Sequence, residues 1–300
     1  MTHEQIPVDL TGVPETLLWT LSFRAQEAAR PDALLADPLA VDLVRRIDYP
    51  FAERLGSGAH RAQWQALRSA TFDRVVRAFL GSAAARGRAP VVVSLGEGLE
   101  TAFWRCDDGR VEWVGVDLPE TAALRRAVLP PHERRVHVDG SVLDDEWLDA
   151  VRDVLARTGS APSDVLVHAQ GLLMYLRPAQ VHGLVARCAA AFPSGGLVFD
   201  GVPAWTSRAT TAAMRRASRD AGPGDGGPRD GVLVPPPMPW PVSRAEVRAL
   251  RALPGVRSLS RVHPPAGRGA VFGALLPAVE RLPFLRDAVL SVWLARFEDA

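Results

Sequence analysis

The residues whose types and spacing suggest chemistry are two glycines, an acid further along and an amide at a strand end. In SLGEGLETAFWR (94–105), Gly96 and Gly98 follow a β-branched run and lead into a helical one. Without Cβ atoms they let the backbone turn tightly and approach a ligand. Asp117 closes the next strand-like run about twenty residues later, where a carboxylate can accept from a pair of ribose hydroxyls. Two plainer readings stay open: the glycines form a simple turn, and Asp117 caps the helix starting at Pro119. Thr101 stands where a dinucleotide loop has its third glycine, and paired strands after residue 255 leave no second mononucleotide half. A single adenosine-containing ligand is favoured, with S-adenosylmethionine the leading candidate.

VLVHAQGLLMYL (165–176) places Gln170 where a buried strand runs out. His168, two residues earlier, shares its face of the strand and is either a base or a satisfied core histidine. Tyr175 either packs or lines a pocket. The chain has no metal-spaced cluster and no evident His–acid pair. An acceptor oxygen that ionises by itself therefore suits it: a carboxylate with a pKa of about 4, or an acidified phenol. Trp19, Phe23 and Arg24 near the N-terminus, with Trp205, Arg208, Met214, Met238 and Trp240 around a Gly/Pro-rich run, suit a flat, partly anionic aromatic acceptor. Core and lid packing is the alternative for these residues.

The elements that must hold these residues come in two rhythms. Residues 14–80 are helical: DPLAVDLVRRI (37–47) and QWQALRSATFDRVVRAFL (63–80) repeat apolar residues at three and four. From residue 90, the runs 90–96, 111–117, 134–140, 164–170 and 195–201 are short and β-branched, with helical stretches between. That alternation predicts a parallel sheet covered on both faces. AGPGDGGPRDGVLVPPPMPW (221–240) predicts a surface loop. SRAEVRALRAL (243–253) predicts a helix capped by Ser243, with Glu246 completing a capping box. VRSLSRV and GAVFGALL then predict two strands. FLRDAVLSVWLARF predicts a final helix whose face of Leu285, Val289, Trp293 and Phe297 serves the core or a homodimer contact.

The totals exclude several classes. Hydrophobic residues make up 47% and charged ones 23% of 300, the profile of a soluble globular chain. The 35 basic residues, all Arg, nearly cancel 34 acids, so neither nucleic acid nor an anionic membrane is expected as a partner. Two isolated cysteines, no signal-peptide core and no run of the roughly 20 apolar residues of a membrane helix point to the cytoplasm.

VVVSLGEGLETAFWR, VGVDLPE, RRVHVDGSVLDDEWLD, AQGLLMYL, VFDGVP and PPPMPW, in this order, resemble the leucine carboxyl methyltransferase superfamily, in particular its bacterial branch of polyketide O-methyltransferases. ETLLWTLSFRAQEAARPDALLADPLAVDLVRRIDYPF is similar to the same branch, so the resemblance covers nearly the whole chain. It implies a class I methyltransferase Rossmann-like fold, α/β, with a seven-stranded mostly parallel sheet. It implies a helical cap over residues 1–88 and a donor-binding domain over 89–300, with a substrate-side insertion at about 203–242. It implies S-adenosylmethionine as methyl donor and a small-molecule acceptor, a carboxylate or phenol of a polyketide-like product. Carried over, Arg68 meets the donor carboxylate. Gly96 and Gly98 pass its methionine part and Asp117 holds the ribose, with Leu118 and Gly171 also among the donor-binding residues. Val142, Leu143 and Asp144 border the adenine, with Gln170 and Tyr175 beside the amino-acid end.

The chain departs from the family pattern in three places. Glu97 and Glu100 replace the usual Ala and Asp, and Gln170 replaces the Glu that accepts from the donor ammonium. That last change motivates one alternative, a family member repurposed as a cyclase, dehydratase or cofactor-bound pseudoenzyme. A second, independent alternative is a methyltransferase or binding module for protein C-termini.

Overall fold

A computed structural model describes residues 5–8, 10–220, 233–282 and 286–299. Most of the predicted loop, residues 221–232, lies outside them. The β-branched runs form strands where expected: β1 Val91–Leu95, β2 Glu112–Asp117, β3 Arg135–Asp139, β4 Val165–Ala169 and β5 Gly196–Gly201. Two more, β6 Val256–Val262 and β7 Ser291–Phe297, complete one sheet in the order β3-β2-β1-β4-β5-β7-β6. Every pairing is parallel except those of β7, which runs antiparallel to both neighbours.

Alternate residues of the central strands feed two cores, as the two-residue side-chain period requires. Val91, Val93 and Leu95 pack with helices α7 (Glu146–Thr158) and α8 (Pro178–Ala191). Val92, Leu166 and Val198 pack on the other face against Phe72, Val76 and Phe79 of α4 (Ala59–Ala85) and Phe103 of α5 (Ala102–Cys106). The N-terminal helices α1 (Thr16–Ala28), α2 (Pro38–Arg46) and α3 (Phe51–Leu55) share a third cluster with Leu99 and with Val128 of α6 (Pro119–Val128). Asp37 caps α2 by accepting from the Ala40 N–H at 3.1 Å.

Later in the chain, α9 (Ala204–Asp220) follows β5 and α10 (Arg244–Arg251) precedes β6. Ser243 caps α10 as predicted, its Oγ accepting from the Glu246 N–H at 3.2 Å.

Two predicted elements are corrected. The predicted final helix is a short 3-10 turn at Arg286–Ala288 followed by strand β7 from Ser291, and Leu285 lies outside the described residues. Val289, Trp293 and Phe297 recur every fourth position, a spacing that fits both a helix and a strand, and SVWLARF pairs between β5 and β6. The core role expected of this face holds for Phe297, with Trp293 packed against the same cluster, but both residues act from a strand. GAVFGALL is helical rather than a strand: a π-turn at Val271–Leu275 runs into α11 (Leu276–Arg281), and Phe272 and Leu276, four apart, pack together on Leu67.

Candidate functional site

Strand order reverses between β1 and β4, so the loops leaving their carboxyl ends diverge and open a crevice. There a cavity of about 320 Å³ lies between those loops and α1, which contributes Thr16, Leu17, Thr20 and Arg24. The size suits a small ligand.

The loop after β1 needs its glycines. Gly96 has φ +60 and Gly98 φ +53, and a Cβ on Gly96 would stand 2.9 Å from Leu172 Cδ1. Asp117 holds this loop by accepting from the Gly98 N–H at 2.6 Å and the Leu118 N–H at 2.9 Å. It does not cap α6, which has no side-chain cap. Burial, abetted by nearby Glu97, pushes its pKa up to about 6 against the two N–H groups that stabilise the anion.

Glu97, between the glycines, turns down into the protein. It accepts from Trp113 Nε1 and from Arg135 Nη2, both at 2.7 Å. Arg125 Nε lies 2.9 Å away, close enough for an ion pair but not aligned for a hydrogen bond. Arg125 also donates to the Gly98 carbonyl at 2.7 Å. Burial opposes ionisation of Glu97, but Arg125 and Arg135 outweigh it and hold the carboxyl below its ordinary range. The same burial lowers Arg125 to about 9 despite Glu97. The departure at position 97 is thus a charged anchor beneath the loop.

Glu100 faces the cavity. Its carboxylate accepts from Gln170 Nε2 at 2.8 Å and Arg24 Nη1 at 3.1 Å, and Arg105 Nη1 lies 2.7 Å away. Burial disfavours its charge, but Arg105 and Arg24 prevail and keep it ionised. Ser69 Oγ also receives Gln170 Nε2, at 3.1 Å. These partners fix the amide orientation and leave Gln170 Oε1 buried without a donor. Nearby, Arg68 donates from Nη1 to Asp200 at 3.2 Å, while its buried Nε–H has no acceptor. Asp200 also accepts from the Gly171 N–H at 2.6 Å.

Leu118, Gly140, Ser141, Val142 and Leu143 add a mostly apolar stretch of wall, and Tyr175 also lines the cavity. Burial raises the Tyr175 phenol pKa. All ten residues expected to hold the donor line this cavity: Arg68, Gly96, Gly98, Asp117, Leu118, Val142, Leu143, Gln170, Gly171 and Tyr175. Asp144 is not in the lining; its backbone carbonyl accepts from Arg187 at 2.9 Å.

The other expectations fare differently. His168 is 1% exposed, outside the cavity lining, with Nδ1 3.3 Å from Ser94 Oγ and its ring edge-on to Phe72. Burial lowers its pKa, so it is a neutral core residue here. Of the acceptor residues, only Arg24 reaches the cavity, and Asp37, Glu100 and the Leu99 carbonyl engage it. Phe23 is core, set edge-on to half-buried Trp19 at 5.4 Å. Trp240 is fully buried, its Nε1 donating to Glu246 at 2.7 Å. Met238 packs with Met174, Val202 and Tyr175, one side chain behind the cavity. Trp205 is 60% exposed and donates to the Ala288 carbonyl, Arg208 turns back to the Ala204 carbonyl, and Met214 sits half-buried on α9. The sequence reading missed Leu17 and Thr20, and left Glu100 out of the site although its departure from the family pattern marked it.

The sequence model of the family described as leucine carboxyl methyltransferase matches residues 18–189. Over 225 residues, 74% of this chain and 78% of the relative, the sequence is 34% identical to the tetracenomycin polyketide synthesis O-methyltransferase of Streptomyces glaucescens. Over 209 residues, 65% of this chain and 67% of the relative, it is 30% identical to an S-adenosyl-L-methionine-dependent methyltransferase of Gibberella zeae. A crystal structure of a Thermobifida fusca protein described as a methyltransferase shares the fold, with TM-score 0.53 over 94% of both chains at 17% identity.

Proposed function

Because this chain belongs to the leucine carboxyl methyltransferase family and is an S-adenosylmethionine-dependent methyltransferase, we propose that it methylates an oxygen of a small apolar acceptor, a carboxylate or acidic phenol of a polyketide-like product. The observation that carries the donor site is the pair of orphaned polar atoms at one end of the cavity. Arg68 Nε–H wants an acceptor and Gln170 Oε1 wants a donor, the two needs that an α-amino-acid end meets with its carboxylate and ammonium. Ionised Glu100, 2.8 Å behind the amide, supplies the negative charge that Gln170 itself lacks. In this reading Asp117 takes the ribose and Ser141 to Leu143 the base, all of them residues that line the cavity.

When bound, the donor presents an electrophilic methyl on a sulfonium. The chain's own work is to orient the two partners in line and keep water out. Its carboxylates are committed: Arg24 and Arg105 hold Glu100, Arg125 and Arg135 hold Glu97, and Asp117 is bound to backbone. His168 is outside the lining. With no uncommitted base among the described lining residues, the acceptor must arrive ionised. A carboxylate does so at neutral pH and an ordinary phenol does not.

A cytoplasmic setting is part of this reading. Cys106 and Cys188 are both free thiols, and no described helix is long and apolar enough to cross a membrane.

The test is a panel of aromatic carboxylates and phenols incubated with enzyme and S-adenosylmethionine, with methyl ester or ether read by mass spectrometry against pH. Carboxylate turnover should stay flat above neutrality, and phenol turnover should rise towards the phenol's own pKa. Donor binding without any methylated small molecule, together with methylation of peptide C-termini, would replace the small acceptor by a protein one.

A further inference from the structure

Away from the donor cavity, a second cavity of about 350 Å³ lies between α10, strands β6 and β7, and the segment that enters β7. Five guanidinium groups line it: Arg244, Arg248 and Arg251 from α10, Arg261 from β6, and Arg286. Among the described residues one lining carboxylate opposes them, Asp287, 2.6 Å from Arg244 Nε and 3.9 Å from Arg286 Nε. Glu280, behind the wall, takes Arg261 Nη2 at 2.9 Å but is shared with His263 Nδ1 at 2.6 Å. Arg251 donates twice to the Leu259 carbonyl, at 3.2 and 2.6 Å, which orders the guanidinium without neutralising it. The Arg261 side chain is only 9% exposed, and its Nε–H has no acceptor.

Like charges gathered in one recess repel one another and favour an anion between them, most strongly at Arg261, whose side chain is largely buried while the other four are exposed. The positive end of α10, capped by Ser243, adds to the same field. Guanidinium forks arranged this way match the oxyanion geometry of a phosphate or carboxylate. The remaining walls are of another kind. Val242, Val247 and Val289 line the cavity with Trp293, whose Nε1 is already satisfied by Ser291 Oγ at 2.8 Å, so its ring is left for apolar contact.

We propose that this recess is a second ligand site, for a small molecule that joins an oxyanion to an apolar body. The shared head-group chemistry is that of a phosphate monoester or a carboxylate. The site is separate from the donor cavity, with which it shares no lining residue.

Calorimetric titration of the full chain with 1-naphthyl phosphate and with 1-naphthoate tests it. At least one should bind saturably below millimolar concentration, and the tighter of the two identifies the head group. 1-Naphthol, lacking the charge, and inorganic phosphate, lacking the ring, should each bind at least about tenfold more weakly. Arg248→Glu, an exposed position, should weaken the probe by about tenfold or more, and Arg286→Glu should do the same if the first variant folds poorly. Both variants should keep the wild-type affinity for S-adenosylhomocysteine, and saturating S-adenosylhomocysteine should not displace the probe. No saturation at millimolar probe, unchanged binding in both charge reversals, or displacement by S-adenosylhomocysteine would overturn the proposal.

Discussion

Gln170 gives its amide nitrogen to Glu100, Nε2 to Oε2 at 2.8 Å, and thereby commits its carbonyl oxygen to the other role, that of an unpaired acceptor. The negative charge at this end of the cavity sits on Glu100, set by Arg24 and Arg105, while the amide passes its polarity on. A chain that lacks an acid at position 170 has therefore kept one next to it.

Restoring an acid at that position is expected to harm rather than help. Gln170→Glu would bring two carboxylates within hydrogen-bond distance and leave one of them protonated or strained. A melting temperature lower by several degrees is expected, about 1–3 kcal/mol, with no tighter S-adenosylhomocysteine binding at pH 8. Glu100→Gln should weaken that binding at least about tenfold. Combining the two changes, which only exchanges acid and amide, should recover much of the affinity. The coupling is read by calorimetry on the four proteins, and tighter binding by Gln170→Glu alone would show that Glu100 does not carry the charge.

Arg68 should discriminate between parts of the ligand. Its unpaired Nε and its 3.2 Å bond to Asp200 place it for a carboxylate. Arg68→Lys keeps the charge but loses the fork, so S-adenosylhomocysteine should bind about tenfold more weakly. 5′-Methylthioadenosine, which lacks the amino-acid end, should bind both proteins alike. Equal losses for the two ligands would instead mean that Arg68 supports the fold of the cavity.

Much of this site could be read from the sequence because its parts are local. Gly96, Gly98 and Asp117 sit at the ends of adjacent strands, and β-branched runs locate those strands almost to the residue. Glu100 was harder. Its partners Arg24, Ser69 and Gln170 come from three other segments, and no spacing along the chain records that they meet. The aromatic residues failed for a different reason. Composition cannot separate a tryptophan lining a cavity from one such as Trp240, whose Nε1 is satisfied by Glu246 within the core. Strand β7 reads as a helix in the sequence because Trp293 and Phe297, with Val289 just before the strand, repeat at four, a multiple of the strand period as well as close to the helical one.

Glu97 should prove structural. Its carboxylate joins Trp113, Arg135 and Arg125 under the glycine loop, where all of the charges are buried. Glu97→Gln leaves two buried guanidinium groups short of an anion, a loss of about 3–5 kcal/mol on the scale of broken buried pairs. Gly115→Ala should act similarly, since its Cβ would collide with Glu97 Oε2. Urea unfolding of both variants checks this, and a loss below about 1 kcal/mol in each would mean that the network contributes little.

Asp117 links pH to both stability and binding, with opposite signs. Its folded pKa of about 6 lies above the ordinary 3.8, so the folded chain binds the extra proton between these values. Ionising Asp117 therefore costs the fold stability as pH rises from about 4 to about 6, and above that the full cost, at most about 3 kcal/mol, remains. Asp117→Asn removes the charge and can still accept from one N–H, so at pH 8 it should melt no lower than the wild type. A ribose diol, by contrast, donates best to the ionised carboxylate. S-Adenosylhomocysteine affinity should thus fall in the wild type as pH drops below about 6, and Asp117→Asn should bind at least about tenfold more weakly at pH 8 with little of that pH dependence. Thermal melts and calorimetry across this range separate the two effects. An affinity flat from about pH 5 to 8, or unchanged by the substitution, would take Asp117 out of the ligand's reach and leave it only the task of holding Gly98 and Leu118.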